Sequence, residues 1–367
     1  MTGLKIPFTG LRKQYHNLRQ EILDVTDEVL RSGQIMDGNY TAEFENWLAK
    51  RNQQKYAVTC HSGTQALEIM AEWYRTLYLE QPIVLIPTMT YPATVNAFVT
   101  TGWQVHLADT DEHGIIDLDR VDLTAVNAVV MIGLYGAAVD TPLASRNWVS
   151  RLGLKNLLIL EDAAQHWLAS DGTRIGAAAA ISFDPTKNLN NYGNGGAVVT
   201  SDSALMYFAQ SLRNNGKPNH GQVGTNSRMS EVDTAQLLIK ARYLDQWQRR
   251  RKDIAQYWIT RLRGSAARCL IDATNVGDHA VQKFVIMVDD RDHVRKMLTE
   301  RQIETKIHYE RPCHEIGLFH TMPGPDILSK ASALSRRVIS LPIYPELTDL
   351  EVDYVVDQVL DVVKRRG

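Results

Sequence analysis

The chain has 367 residues, of which 44% are apolar and 22% are charged. Because a single hydrophobic core stops growing at roughly 250 to 300 residues, this length predicts two domains. The 40 basic and 42 acidic side chains are mixed along the chain and leave a net charge of −2, which argues against a nucleic-acid partner. The sequence starts without the apolar run of a signal peptide, and no membrane span is predicted from its apolar stretches.

The three cysteines, Cys60, Cys269 and Cys313, lie far apart and without CxxC spacing. This spacing indicates neither a disulfide framework nor a zinc site, and it favours a reducing cytoplasm as the location. His308 and His314 lie close to Cys313, but no further ligands follow at metal spacing. We therefore predict a cytoplasmic protein without a metal site.

Short apolar runs alternate with helix-like segments from about residue 20 to residue 240, which is typical of an α/β layer fold. Runs this short and this apolar are expected of parallel strands covered on both faces. Between the first two runs, Leu67, Met70, Ala71 and Tyr74 recur at helical spacing and predict a crossover helix. The predicted strands are 56–60, 83–87, 105–108, 128–132, 157–160 and 197–200.

The pattern changes after residue 240, where a long helix leads into a segment of mixed helices and strands. This order predicts a large domain over 1–242, and a linker helix with a small C-terminal α+β domain over 243–367. The predicted elements after residue 240 are a helix over 243–262, a strand over 281–288, a helix over 292–302, a second strand over 305–309, and helices over 326–338 and 350–364.

A turn at residues 62–65 joins the strand that ends at Cys60 to the crossover helix. It contains Ser62, Gly63, Thr64 and Gln65. Backbone N–H groups at the start of a helix, with hydroxyl groups beside them, can hold a phosphate. The alternative is that Ser62 or Thr64 only caps the helix.

Two adjacent carboxylates, Glu161 and Asp162, follow the apolar strand 157–160. The carboxyl edge of a parallel sheet faces the ligand crevice, so a carboxylate there can bind a protonated pyridine nitrogen. Adjacent strand residues point to opposite faces, so only one of the pair can face a ligand, and Asp162 is the preferred candidate. The alternative is that Asp162 caps the following helix.

Lys187 lies between Pro185 and a stretch rich in Asn and Gly, which predicts a loop between a strand ending near Phe183 and the strand 197–200. A partly desolvated lysine on the ligand edge has a lowered pKa, so it can attack an aldehyde and carry a proton. Together with the turn and Asp162, Lys187 predicts a Schiff base with pyridoxal phosphate.

These motifs, in this order, resemble the DegT/DnrJ/StrS family of pyridoxal-phosphate-dependent sugar aminotransferases, a branch of fold type I. The resemblance implies an α/β fold with a mixed, mostly parallel sheet in the large domain and a small C-terminal α+β domain. The segments that carry the resemblance are 62–67, 87–94, 161–165, 182–196, 224–229, 307–309 and 341–342.

The resemblance also implies roles around the cofactor ring. Lys187 would hold pyridoxal phosphate covalently, Asp162 would pair with the pyridine nitrogen, and Gln165 would approach the ring hydroxyl. Tyr91 would stack on the ring face. In transamination, Lys187 would move the proton between the substrate carbon and the cofactor carbon.

For the phosphate, the resemblance implies Thr64, Gln65 and Ser182, next to Ser62 and Gly63 in the turn. Asn226 would reach the phosphate from a second subunit, which implies a homodimer with shared active sites. The amino donor would be an amino acid, usually glutamate in this family, and the acceptor would be a keto sugar, typically linked to a nucleotide.

Two positions depart from the family pattern. Asp184 stands where a neutral or basic residue is usual, and a carboxylate this close to the cofactor would repel an anionic donor. Ser227 replaces an aromatic residue. The substrate side of the cleft is expected to include Asp184, His308 and Tyr309. Decarboxylation or other carbanion chemistry on an unusual amino-acid-like substrate stays an alternative. A non-catalytic regulator is a further alternative, but the presence of both Lys187 and Asp162 argues against it.

Overall fold

The structure is a computed structural model in which helices cover a central sheet and a second sheet lies near the C-terminus. It describes residues 4–119, 121–139, 152–153, 157–322 and 328–364. Across these ranges, none of the helices is long and apolar enough to cross a membrane.

Within the described ranges, the larger sheet contains seven strands, which include all six predicted runs and the strand expected to end near Phe183. The strands are β1 (Tyr56–Cys60), β2 (Ile83–Pro87), β3 (Gln104–Ala108), β4 (Ala128–Ile132), β5 (Leu158–Asp162), β6 (Ala178–Ser182) and β7 (Gly196–Thr200). Their order is β1-β7-β6-β5-β4-β2-β3. Among these described strands, only β7 runs antiparallel to its two neighbours, so the mixed, mostly parallel sheet is confirmed.

Helices pack on both faces of this sheet, as its nearly continuous apolar strands require. The predicted crossover helix is confirmed, and so is a helix in the range predicted over 243–262, whose role as a linker stays a prediction. The helices are α1 (Leu11–Ser32), α2 (Asn39–Arg51), α3 (Gly63–Arg75), α4 (Pro92–Thr100), α5 (Ser203–Leu212), α6 (Glu231–Ala241) and α7 (Leu244–Leu262). One face is covered by apolar residues of α3, α4 and α5, and the other by α2 and α6.

The smaller sheet is antiparallel and lies among the C-terminal helices. Its strands are β8 (Arg268–Cys269), β9 (Phe284–Met287) and β10 (Val338–Leu341), and the helices that follow α7 are α8 (Arg291–Glu300), α9 (Ser329–Ser335) and α10 (Asp349–Lys364). The predicted strand over 281–288 is confirmed by β9 in shortened form. The helices predicted over 292–302 and 350–364 correspond to α8 and α10.

One prediction in this region is wrong, and another is confirmed only in shortened form. The segment 305–309 makes a single β-bridge, between Lys306 and Ser340, because the carbonyl oxygen of His308 accepts a hydrogen bond from the Tyr135 hydroxyl instead of joining a ladder. The helix predicted over 326–338 begins at 329 and ends at 335, and residues 326–327 lie outside the described part. Val338 instead begins β10, where its buried apolar neighbours pair with β9.

The N-terminal residues pack against the C-terminal part of the chain. The backbone N–H of Ile6 donates to Gln302 O at 2.8 Å, and the N–H of Glu304 donates to Ile6 O at 2.9 Å. Ile6 is fully buried in the same apolar cluster as β9 and β10. The domain boundary between residues 242 and 243 stays a prediction. The contacts of Ile6 show that the first residues of the chain pack against the segment that follows this boundary.

The ligand edge of the large sheet is formed where β1, β5 and β6 end, since these three strands point in the same direction. Two glycines allow neighbouring backbone segments to approach each other closely at this edge. A Cβ on Gly63 would lie 2.7 Å from Ser182 Cβ, and a Cβ on Gly196 would lie 2.4 Å from the Ser62 carbonyl carbon. The absence of side chains at these two positions lets the turn after β1 pack against the end of β6 and the start of β7.

Candidate active site

The turn after β1 begins α3 and leaves backbone donors at the ligand edge. Ser62 is the N-cap residue, and its Oγ accepts a hydrogen bond from Gln65 N at 3.1 Å, so the capping interpretation holds for Ser62. The N–H groups of Gly63 and Thr64 lie in the first turn of the helix and have no acceptor within it. With Ser182 packed beside Gly63, these groups form a compact set of donors suited to a phosphate.

Asp162 and Glu161 point to opposite sides of β5, as strand alternation requires. Asp162 is buried at the ligand edge, where its Oδ2 accepts from Thr94 Oγ1 at 2.6 Å and its Oδ1 from Ala164 N at 3.1 Å. Glu161 is fully buried on the other side and accepts from the backbone N–H groups of Thr173, Ile175 and Gly176. Only Asp162 therefore faces the crevice.

Gln165 connects three segments of the site. Its Oε1 accepts from the backbone N–H of Tyr135 at 2.8 Å, and its Nε2 donates to the Tyr309 hydroxyl at 2.9 Å. Burial and the charge of Asp162 raise the pKa of Tyr309, so this phenol stays protonated. The second Nε2 proton of Gln165 is the one that remains for a ligand group.

Lys187 is held in a tight turn that Asp184 stabilises. Oδ1 of Asp184 accepts from the backbone N of Thr186 at 2.9 Å and from its Oγ1 at 2.6 Å, and Lys187 N donates to Asp184 O at 2.9 Å. The turn lies between β6 and β7, as predicted. One visible role of Asp184 is therefore to shape the loop that carries the lysine.

The charges around Lys187 are mixed. Burial lowers the pKa of Lys187, and the carboxylates of Asp162 and Asp184 oppose this effect. Burial alone would raise the pKa of Asp184, but the hydrogen bonds from Thr186 and the nearby charges of Lys187 and Lys283 lower it below its ordinary value. Lys283 thus offsets the negative charge that was expected to repel an anionic donor.

His308, Tyr309 and Tyr91 lie near one another on the small-sheet side of the crevice. The Tyr91 and Tyr309 rings are 5.9 Å apart, and the His308 ring is 5.9 Å from that of Phe8. Tyr91 is 59% exposed, so its ring is open to a ligand. Burial and three nearby lysines lower the pKa of His308 to about 2, which keeps its imidazole neutral.

Asn226 is exposed and lies outside this group. It forms a β-bridge with Asn214, while the next residue, Ser227, is buried and accepts a hydrogen bond from His61 N at 2.7 Å through its carbonyl oxygen. The Ser227 hydroxyl also contacts that of Thr225 at 2.8 Å. Ser227 therefore holds the segment that contains Asn226 next to the start of the turn at residues 62–65.

Sequence reasoning missed two side chains of the site. Thr94 was part of a recognised segment but had no assigned role, and only the fold shows that α4 brings its hydroxyl to Asp162. Lys283 lies in the apolar run that was predicted as the strand 281–288, and a single charged residue in such a run does not form a pattern that indicates a site. A buried lysine within such a run is itself a signal, because lysines are rarely buried without a reason.

Metal ligands do not gather in the part of the chain that the structure describes: no group of three or more His, Cys, Asp or Glu side chains could hold an ion. Both ring nitrogens of His314 contact hydroxyl groups, Nδ1 that of Thr88 at 2.8 Å and Nε2 that of Ser332 at 3.2 Å. Cys313 is buried, and its Sγ lies 3.6 Å from Thr90 O.

Comparison with known proteins agrees with this architecture. A model of the DegT/DnrJ/EryC1/StrS aminotransferase family matches residues 16–360. The chain is 33% identical to a dTDP-3-amino-3,4,6-trideoxy-alpha-D-glucose transaminase of Streptomyces venezuelae, over 98% of this chain and 97% of the relative. It is 30% identical to a protein of Geobacillus stearothermophilus named pleiotropic regulatory protein, over 98% of both chains.

Among solved structures, that of DesV from S. venezuelae has a TM-score of 0.89 and 32% sequence identity, and the match covers 99% of this chain and 100% of DesV. A match of this extent covers both sheets and every segment of the candidate site. The chain therefore belongs to the DegT/DnrJ/EryC1/StrS aminotransferase family, whose members are pyridoxal-phosphate-dependent enzymes of the α/β fold described above.

Proposed function

We propose that this protein transfers an amino group from an amino acid, glutamate in the first instance, to the keto group of a nucleotide-linked sugar, with pyridoxal phosphate as cofactor. The single observation that carries the proposal is the meeting of Lys187 and Asp162 at the ligand edge of the sheet, close enough for the Asp162 charge to act on the Lys187 ammonium. The S. venezuelae relative, a dTDP-sugar transaminase, supports the choice of acceptor.

The residues present fit the cofactor. Lys187 has the lowered pKa that a lysine needs to react with an aldehyde. The buried Asp162 would bind a protonated pyridine nitrogen, and the donors of Gly63 and Thr64 beside Ser182 would bind a phosphate. Two glycines, at 63 and 196, leave no room for side chains at the phosphate end of this site.

The positions of Gln165, Tyr91, Thr64 and Gln65 suit the remaining contacts with the cofactor. Gln165, held by Tyr135 and Tyr309, would direct its free Nε2 proton to the ring hydroxyl, and the exposed ring of Tyr91 would cover the ring face. Thr64 and Gln65 would complete the phosphate contacts at the start of α3.

In the reaction, Lys187 is the residue that moves the proton. When bound, pyridoxal phosphate supplies an electron-accepting ring conjugated to the carbon that loses its proton. Asp162, fixed by Thr94 and Ala164, would present its carboxylate to the ring nitrogen. The lowered pKa of Lys187 lets its amine accept a proton at Nζ and return it to a neighbouring carbon. The pKa of His308 is lowered to about 2, which makes its imidazole a very weak base, and the raised pKa of Tyr309 keeps its phenol protonated, so neither competes as a base.

We further propose a homodimer in which Asn226 completes the phosphate site of the partner subunit. Support comes from the exposure of Asn226 and from the hydrogen bond by which the neighbouring Ser227 ties this segment to His61, next to the turn. We also propose a cytoplasmic location, which is supported by three cysteines that are all free thiols.

The decisive experiment is a half-reaction. The purified protein, loaded with pyridoxal phosphate, is mixed with glutamate, and the absorbance should change from that of the pyridoxal form to that of the pyridoxamine form with release of 2-oxoglutarate. Lys187→Ala is the control: it should bind the cofactor without a covalent bond, so that borohydride treatment adds no cofactor mass to the protein.

Two outcomes would redirect the proposal. Release of carbon dioxide from an amino acid, without conversion to the pyridoxamine form, would favour the decarboxylase alternative. No conversion with any common amino donor would sink the transaminase assignment and favour a regulator, the role for which the G. stearothermophilus relative is named.

A further inference from the structure

His166 is fully buried behind the candidate active site and joins the end of β5 to the segment after β4. Its Nε2 lies 3.2 Å from Oε2 of Glu161, and its Nδ1 accepts a hydrogen bond from the backbone N–H of Gly133 at 3.0 Å. A backbone N–H can only donate, so Nδ1 carries no proton and the ring proton lies on Nε2, toward the carboxylate. These two contacts fix the imidazole in one tautomer.

The contact depends on the missing side chain of Gly133. A Cβ at this position would lie 2.5 Å from both Cβ and Cγ of His166, and 2.1 Å from the carbonyl oxygen of Ala137. Both distances are too short for any side chain. The backbone at Gly133 and the imidazole of His166 are therefore fitted to each other.

The turn that begins at Gly133 sets the direction of the Gln165 amide. Tyr135, in this turn, has a φ of 65°, which residues other than glycine rarely adopt. Its backbone N–H donates to Oε1 of Gln165 at 2.8 Å, and Nε2 of Gln165 donates to the Tyr309 hydroxyl at 2.9 Å. Because the Tyr135 N–H holds the amide oxygen, the orientation of this turn decides where the amide nitrogen points.

The contact between His166 and Gly133 requires the neutral imidazole. Burial lowers the pKa of His166, but the carboxylates of Glu161, Asp171 and Asp162 outweigh this effect and raise the pKa. Protonation would place a proton on Nδ1 against the Gly133 N–H, so the contact is present above this pKa and is lost below it.

We propose that His166 is a positioning residue of the active site: held by Glu161, it fixes the turn at Gly133 and thereby aims the amide of Gln165 at the ring hydroxyl of the cofactor. This inference rests on the proposed cofactor and does not depend on the amino donor or the acceptor. It also gives the two adjacent carboxylates of β5 separate roles. Asp162 acts on the cofactor directly, whereas Glu161 acts through His166.

The test compares two substitutions that each keep one of the two contacts. In His166→Asn, the amide oxygen can take the place of Nδ1 and accept from Gly133. In His166→Gln, the longer side chain can bring its amide nitrogen to the place of Nε2 and donate to Glu161.

The first readout is the Kd for pyridoxal phosphate at pH 8.5. We expect His166→Gln to raise it about five- to tenfold, because the donor to the ring hydroxyl is misplaced, and His166→Asn to stay within about twofold of the wild type. The second readout is the pH titration of the cofactor absorbance. Its midpoint should move upward in His166→Gln, since an ionised ring oxygen loses a hydrogen-bond donor, and should stay near that of the wild type in His166→Asn.

A merely structural role predicts the opposite order. His166→Gln, which is closer to histidine in volume and still bonded to Glu161, would then be nearer to the wild type than His166→Asn, and this result would overturn the proposal. Equal Kd values and equal titrations for the two variants would also overturn it. His106→Gln is the control and should change neither readout, because His106 is half-buried on β3, the last strand in the sheet order.

A measurement on the wild type covers the case in which neither variant folds. Neutron diffraction from crystals at pH 8.5 should show deuterium on Nε2 of His166, and deuterium on Nδ1 would reject the proposal. The proposed function fails in other ways. A wild type that binds no pyridoxal phosphate would reject the cofactor and this inference with it, whereas a wild type that binds the cofactor but is not converted by glutamate would reject transamination alone.

Discussion

Thr94 donates a hydrogen bond of 2.6 Å from its Oγ1 to Oδ2 of Asp162, and both side chains are buried. The Thr94 hydroxyl also lies 3.1 Å from that of Thr90, so a short chain of hydroxyls backs the carboxylate. Helix α4, which begins at Pro92, fixes this contact across 68 positions of sequence. The orientation of the carboxylate thus depends on a helix that contributes no charge to the site.

Removal of the Thr94 hydroxyl should weaken the site without unfolding the protein. We expect Thr94→Val, which is close in shape, to reduce the rate of the glutamate half-reaction about tenfold, since a buried carboxylate oxygen loses a donor worth about 1 to 3 kcal/mol. Thr94→Ser keeps the hydroxyl and should retain most of the rate. Rates measured by stopped-flow absorbance decide, and equal rates for the Val and Ser variants would contradict the positioning role.

The two carboxylates at the end of β5 should respond differently to loss of charge. Glu161→Gln should lower the free energy of unfolding by about 2 kcal/mol or more, because one of its oxygens is replaced by a donor that faces backbone N–H groups. Asp162→Asn should leave stability closer to that of the wild type and abolish most of the half-reaction. Urea unfolding and stopped-flow rates on both variants test this, and a reversed pattern would mean that Glu161 is the functional residue.

Asp184 should stabilise the Lys187 turn in a pH-dependent way. Its folded pKa is lowered, so its contribution is present above the ordinary carboxyl pKa, at about pH 4, and is lost as the pH falls through the folded value. Asp184→Ala should cost about 1 kcal/mol near neutral pH, because the cap on Thr186 is lost. Asp184→Asn keeps the acceptor and separates the cap from the charge. Unfolding free energies measured between pH 3 and 7 should bring the wild type toward Asp184→Asn at the acidic end, because protonation removes only the charge, and a constant gap between these two proteins would contradict the prediction.

Asn226 offers a test of shared active sites by subunit mixing. We expect Asn226→Ala and Lys187→Ala to be nearly inactive alone. In a mixed dimer, the Lys187 of one chain and the Asn226 of the other complete one intact site. Random exchange at equal amounts should therefore restore about one quarter of wild-type activity, since half of the dimers are mixed and each has one working site. No recovery after exchange, with mixed dimers confirmed by mass spectrometry, would place Asn226 outside the partner's site.

The sequence alone located the strands of the large sheet. The apolar runs identify its strands to within one or two residues, because strands buried on both faces allow few polar positions. Lys187 was recognised as a loop residue for a similar local reason, since proline, asparagine and glycine exclude a helix there. The C-terminal part was less predictable: the segment 305–309 has a strand-like composition, but a hydroxyl from Tyr135 takes the carbonyl that a strand would use.

Only the tertiary structure decided what surrounds Lys187. From the sequence, Asp184 was expected to repel an anionic donor. In the fold, its carboxylate accepts hydrogen bonds from Thr186, and the nearby Lys283 offsets its charge. Thr94 lies 93 positions before Lys187 in the sequence (187 − 94), and Lys283 lies 96 positions after it (283 − 187). Sequence patterns report burial and local backbone geometry, whereas the effect of a charge depends on which distant charges and donors the fold places beside it.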